Sequence, residues 1–260
     1  MSYTDPNRPT QSNAQPPAWQ TTGQPATATP NTLAGGVRVA AIPREGFLTA
    51  AFVWMFIGLL LSAATATFVM NNPTALAQVV NNWFLLVIAE FGVVIAIMAL
   101  IKRVNPLVAL ALFFVYALLN GLTIGVIVLY YSSTPAGSSG VVSAFLGASA
   151  IFAGAAIYGG VTKRDLTSLG GILFMGLIGL IVVMLVQVFL FPTNGFVSFL
   201  IGVVGVLVFT GLTAWDVQRI KSGAMPNINK DSASVMGALA LYLDFVNLFL
   251  MMLRIFGGSR

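Results

Sequence analysis

Three carboxylates stand inside runs of sequence that are otherwise oily: Glu90 in VIAEFGVV, Asp216 in TAWDVQRIK and Asp244 in YLDFVNLFL. The other four of the seven acids, Asp5, Glu45, Asp165 and Asp231, fall in polar segments or beside them. A charged side chain at the centre of an apolar helix costs about 2.5–3.5 kcal/mol to insert, so one that is kept there is a candidate for function. Asp244 is the clearest case, because no basic residue lies within one turn of it. Asp216 has a plainer reading, since Arg219 at i+3 can pair with it at the interface, a common and weakly informative arrangement. Glu90 has no near counter-ion either.

Two carboxyl groups facing each other in a dry seam cannot both ionise cheaply, so such a pair shares a proton or admits a cation. Either outcome responds to pH. Thr213 precedes Asp216 by three and Asn247 follows Asp244 by three, which puts a polar neighbour on each acid's own helix face. Calcium takes six to eight oxygen ligands, and two carboxylates supply only part of that set. Water and backbone carbonyls would complete a weak, transient site at Asp216 and Asp244, and transient occupancy is what conduction requires. The chain contains neither cysteine nor histidine. That excludes disulfides, thiolate or imidazole metal sites, and nucleophilic mechanisms that use a Cys or a His base. No resident cofactor is expected; calcium enters as a permeant ion, with protons as the second ligand.

The elements that must position these acids are membrane spans. Of 260 residues 58% are hydrophobic and only 7% charged, far below the quarter or so found in soluble domains. Apolar runs of about 20 residues, long enough to cross a bilayer, recur from Phe47 onward. They are continuous and lack dyad alternation, which selects helices over an outer-membrane barrel. The expectation is an all-α integral membrane protein with seven transmembrane helices, near 47–70, 83–101, 107–131, 139–162, 168–192, 196–218 and 234–256. Asn105-Pro106 reads as a cap with a first-turn proline opening the third, and Gly223 with Pro226 closes the sixth. The fourth, GVVSAFLGASAIFAGAAIYGG, pairs Ala150/Gly154, Ala155/Gly159 and Ala156/Gly160 at four-residue spacing, which predicts a closely packed interior helix.

Residues 1–46 are a different material. They hold seven of the twelve prolines and no apolar periodicity, so they cannot bury enough surface to offset the entropy of ordering and are read as a disordered cytoplasmic tail. The remainder, 47–260, is the transmembrane domain. Basic residues set its orientation: Arg38 and Arg44 precede the first span, Lys102 and Arg103 follow the second, Lys163 and Arg164 the fourth, and Arg219, Lys221 and Lys230 the sixth. The intervening connections near 71–82, 132–138 and 193–195 contain no Lys or Arg. Positive-inside bias therefore places the N-terminus in the cytoplasm and the C-terminus outside. Arg254 and Arg260 are exceptions; Arg254 can snorkel to the interface from the last turn. The net charge of +5 reflects this loop asymmetry and not a nucleic-acid partner.

VTKRDLTSLGGIL, FTGLTAWDVQRIKSG and LALYLDFVNLFLMMLRIFG together resemble the Bax inhibitor, or transmembrane Bax inhibitor motif, family over roughly residues 47–257. The resemblance implies seven spans, a cytoplasmic N-terminus and a pH-sensitive calcium leak governed by an acidic pair on the last two helices, here Asp216 and Asp244. The family's second-span acid matches Glu90, as auxiliary polar lining or cation attraction. Its basic residue at the end of the second span matches Lys102 or Arg103, and one of these is expected to latch Asp216 in a closed state. Two features depart from the pattern: the acids are 28 positions apart, and Trp215 stands where a tyrosine is common.

Other functions are weighed against that reading. Intramembrane aspartyl proteases also pair aspartates on adjacent spans, but YLDF lacks their Gly-x-Gly-Asp context and no Pro-Ala-Leu follows. A retinal protein needs a lysine in the seventh span, which has none. Nothing else points to an enzyme. The alternatives kept are a non-conducting regulator that binds other membrane proteins, such as proteases or cell-death factors, and a proton-coupled cation transporter. The absence of a retention signal at the C-terminal end favours a bacterial plasma membrane.

Overall fold

A computed structural model of the chain describes residues 44–101, 103–190, 195–223 and 230–257. The tail expected to be disordered lies outside the described residues up to residue 43; Arg44 already opens a helix. Among the described residues there are eight helices and no strand: α1 (Arg44–Asn71), α2 (Pro73–Asn81), α3 (Trp83–Leu100), α4 (Pro106–Ser132), α5 (Gly137–Val161), α6 (Thr167–Leu190), α7 (Gly195–Ser222) and α8 (Lys230–Phe256). Seven are long and apolar enough to cross a membrane. The chain is a multi-pass integral membrane protein.

The additional helix is α2, in a stretch read from sequence as a plain connection. The signature that opens α4 also opens α2. Asn72 accepts a hydrogen bond from Ala75 N at 3.0 Å and Pro73 occupies the first turn, as Asn105 accepts from Leu107 N at 3.0 Å ahead of Pro106. Nine residues rise only about 13 Å, too little to span, so α2 is a short element at the membrane end that buries Val79. At the other end α7 runs to Ser222, four residues past the expected boundary. It stops where Gly223 takes φ +66°, a left-handed C-terminal position suited to glycine. Pro226 lies outside the described residues.

Burial ranks the helices. Two-thirds of the α8 span is inside the bundle, against 6% for α3 and 11% for α6. α8 packs on α7, α1, α5 and α4, and its Tyr242 meets Phe113 and Tyr116 edge-on with ring centroids 5.6 and 5.7 Å apart. α3 and α6 are outer helices whose Phe84, Phe91, Ile172 and Met175 project outward, as lipid contact requires.

α5 is not the interior helix that its small residues suggested. One stripe (Gly140, Ala144, Ala148, Phe152, Ala155 and Gly159) is buried against α7 and α8, while Leu146 and Ile157 on the other sides are exposed. Of the three small-residue pairs, Ala155/Gly159 is the one at a tight seam. A methyl group on Gly159 would run into the backbone of Ala214, whereas Gly154 has open space around it. Small residues serve both for close packing and as filler toward lipid, and spacing does not distinguish the two. Gly159→Ala is therefore expected to destabilise the protein by about 1–3 kcal/mol. Gly154→Ala should be neutral or slightly stabilising in the same detergent melt.

Candidate functional site

The packing of α7 on α8 brings Asp216, Asp244 and Thr213 together. All three are buried, at 7%, 4% and 0% exposure. Asp244 lies mid-helix in α8, whereas Asp216 is near the C-terminal end of α7. Despite that offset the two carboxylates are close enough to act electrostatically on each other, and Thr213 lies beside Asp244. The Thr213 hydroxyl also donates to Phe209 O at 2.8 Å. One oxygen of Asp244, Oδ2, is fully enclosed and has no hydrogen-bond partner among the described residues. Such an orphaned acceptor costs about 1–3 kcal/mol, so nothing in the packing itself accounts for an acid there.

Among the described residues Asp216 has one cationic neighbour. Arg219 Nη1 approaches its Oδ1 at 3.8 Å, and the same guanidinium stacks 5.1 Å from the Trp215 ring centroid. That side chain is 38% exposed, so the contact is of the weak, screened kind. Arg103 is exposed and forms no ion pair with Asp216 among the described residues. It sits in the turn after α3, which packs on α4 and α2, whereas Arg219 is one turn from Asp216 on the same helix. Lys102, the other expected latch partner, lies outside the described residues.

Glu90 does not join the pair. It takes hydrogen bonds across the α3–α4 contact, from the Thr123 hydroxyl and from Asn120 Nδ2 at 3.4 Å. Asn120 Oδ1 in turn accepts from Tyr242 OH at 3.0 Å, and Tyr242 OH lies 2.6 Å from Ser62 Oγ. Ser62 also bonds Ala117 O at 2.7 Å. The result is a second polar cluster that ties α1, α3, α4 and α8 together through neutral side chains and one acid. Sequence reasoning missed Asn120, Thr123 and Ser62. The signal was present, as polar residues three apart in the third span, but an isolated Asn or Thr in an apolar helix attracts little attention beside an acid.

Asn247 also points elsewhere. Its amide donates to Leu243 O at 2.8 Å, and the side chain lines a groove shared with Arg254. Arg254 does not simply snorkel: it is half-buried and donates to Gln187 Oε1 at 2.8 Å. Among the described residues no three acidic, Cys or His side chains gather as a metal site would need.

The connection between α5 and α6 is fastened to the end of α7 that carries Asp216. Gln218 Oε1 accepts from Leu166 N at 2.8 Å, Gln218 Nε2 donates to Arg164 O at 2.8 Å, and Lys221 donates to Gly160 O. Asp165 in that connection accepts from Thr167 N at 2.9 Å. The Thr167 hydroxyl, and then its N–H, hold the Asp165 carboxyl below the usual carboxylate range. A carboxyl lowered on folding contributes stability above its unfolded pKa, near 4, and loses it as pH falls. Asp165→Asn is accordingly expected to lower the melting temperature slightly near neutrality, where the wild-type carboxylate contributes, and so to shrink the drop in melting temperature between pH 6 and pH 3.

Comparison with known proteins agrees with this architecture. The family model described as "Inhibitor of apoptosis-promoting Bax1" matches residues 44–260. The inner membrane protein YbhL of Escherichia coli K12 is 38% identical over 229 residues, covering 84% of this chain and 95% of its own. An uncharacterized protein of Borreliella burgdorferi is 38% identical over 224 residues, covering 84% and 94%. A membrane protein of Streptococcus pyogenes is 41% identical over 159 residues, covering 60% and 66%.

Proposed function

The chain belongs to the Bax inhibitor family, and on that premise we propose that it is a pH-sensitive calcium leak pathway of a bacterial inner membrane, gated by Asp216 and Asp244. The observation that carries this reading is the buried, mutually interacting acid pair, with one Asp244 oxygen left without a partner. A protein that only binds other membrane proteins needs no such pair between two spans. The reading also keeps the N-terminus in the cytoplasm and the C-terminus outside, following the basic residues of the connections.

The mechanism follows from charge. With the pair ionised, Asp216 is attracted to Arg219, and a calcium ion reaching the carboxylates is held too firmly to pass. A proton on the pair removes part of that charge, loosens the tie to Arg219 and weakens the grip on the ion. Conduction needs binding weak enough to release, so the leak rises as pH falls. The Arg219 contact alone is worth about 1 kcal/mol or less, which leaves the buried pair as the main determinant. Glu90, held by Thr123 and Asn120, acts as polar lining on a neighbouring helix pair and attracts cations from its end of the bundle.

Reconstitution of the purified protein into liposomes loaded with a calcium dye, across a pH series, tests this. Calcium release should increase on acidification, and Asp165→Asn should leave the profile unchanged. If the wild type passes no cation at any pH, the leak reading falls and the non-conducting regulator replaces it. Counter-transport of protons against calcium, seen as a pH change inside the vesicles, would instead identify a proton-coupled transporter.

A further inference from the structure

The groove that Asn247 and Arg254 share lies at the opposite end of the bundle from Asp216, and the acid pair makes no use of it. It encloses about 610 Å³ between α2, α3, α4, α6 and α8, with walls that include Trp83, Ile127, Tyr131, Met184 and Leu250. Tyr130 and Val80 at its rim are 67% and 52% exposed, so it opens sideways where lipid would lie. The polar groups in it are few, and the charged one is Arg254. Its guanidinium meets Gln187 Oε1 at 2.8 Å and Ser198 Oγ at 3.4 Å, both neutral. No carboxylate pairs with it among the described residues. An arginine has five N–H donors in a planar fork suited to phosphate, and both of these contacts use Nη1. A half-buried cation at membrane-end depth, beside an apolar groove of ligand size, is complementary to an anionic amphiphile.

We propose that this groove binds one anionic phospholipid, its phosphate on Arg254 and an acyl chain along the aromatic and aliphatic wall. The lateral opening favours a lipid drawn from the bilayer over a free fatty acid arriving from water. Asn247, one helical turn beyond Asp244 on α8, offers its amide to the lipid's glycerol or ester oxygens. The assignment does not depend on the leak reading.

The test is native mass spectrometry of the full-length protein after exchange into mixed phosphatidylglycerol and phosphatidylcholine. The wild type should retain one phosphatidylglycerol with a preference on the order of tenfold, a free-energy difference of about 1.4 kcal/mol. Arg254→Gln should lose that preference and Arg254→Lys should keep most of it. Arg103→Gln, which removes a cation at the other end, should leave it intact. Equal retention of the two lipids by the wild type, or an equal loss in Arg103→Gln, overturns the proposal. So does displacement of phosphatidylglycerol by equimolar oleate. Should Arg254→Gln fail to fold, brominated phosphatidylglycerol can be titrated into nanodiscs carrying the protein with Trp19, Trp54 and Trp215 replaced by phenylalanine. Saturable quenching of Trp83 supports the site, and quenching merely proportional to lipid fraction counts against it.

Discussion

Asp244→Asn is expected to abolish the pH dependence of calcium leak. In the wild type one acid of the pair can pass a proton to or from the other, and the seam between α7 and α8 changes charge with pH. An amide at position 244 cannot titrate. It also brings two N–H donors beside the Asp216 carboxylate, which then has a fixed partner in addition to Arg219 at 3.8 Å. Release rates from calcium-dye liposomes should be flat from pH 8 to pH 5. A single titrating site in the wild type can change its proton occupancy by about tenfold per unit below saturation. Stability should not suffer. The lost carboxylate carries an enclosed oxygen with no hydrogen bond, so the variant is expected to melt at the same temperature or higher, by an amount equivalent to about 1–3 kcal/mol at most. A leak that still responds to pH in a folded Asp244→Asn protein would sink the pair as the sensor. A large loss of stability would show instead that the acid is structural.

Asp216→Asn is expected to leave the pathway open or insensitive to pH. The asparagine mimics the protonated state at the α7 end of the pair, and Arg219 loses the charge that drew it toward the bundle. Arg219 can stay where it is, since its guanidinium also stacks on Trp215 at 5.1 Å and reaches solvent. Asp244 no longer faces a like charge. Leak at neutral pH should therefore approach the rate that the wild type reaches only in acid, on the order of tenfold faster. The same liposomes report it. A wild-type profile in Asp216→Asn would mean that Asp244 acts alone or with Thr213, and that α7 contributes packing and no charge. The two variants together separate a gate from a binding site: a pure calcium site predicts reduced flux in both.

Much of this was legible in the residues. Seven spans followed from apolar runs that can satisfy their backbone only as helices in lipid. Asp244 announced itself, because a carboxylate in YLDFVNLFL has no cheap explanation in a membrane. The helix signature Asn72-Pro73 is equally visible in the residues, but the stretch it opens is only nine residues long and lies between two strong spans, so apolar run length points to a connection there. The small residues of α5 misled in a different way. Gly154 and Gly159 look alike in sequence, yet one meets open space and the other the backbone of Ala214.

The sequence by itself determined the material: how many helices are long and apolar enough to cross the membrane, and which acids are buried at a cost. Those outcomes depend on the free energy of placing each residue in lipid, a quantity nearly local to the chain. The tertiary structure decided the company each acid keeps. It put Thr213 with Asp244, gave Asp216 to Arg219 and not to Arg103, and moved Glu90 into a separate cluster with Thr123, Asn120, Tyr242 and Ser62. It also turned Asn247 and Arg254 into the lining of a groove. Helix rotation and crossing set those partnerships. They arise from packing between segments distant in sequence, where side chains as far apart as Ser62 and Tyr242 come within hydrogen-bonding distance.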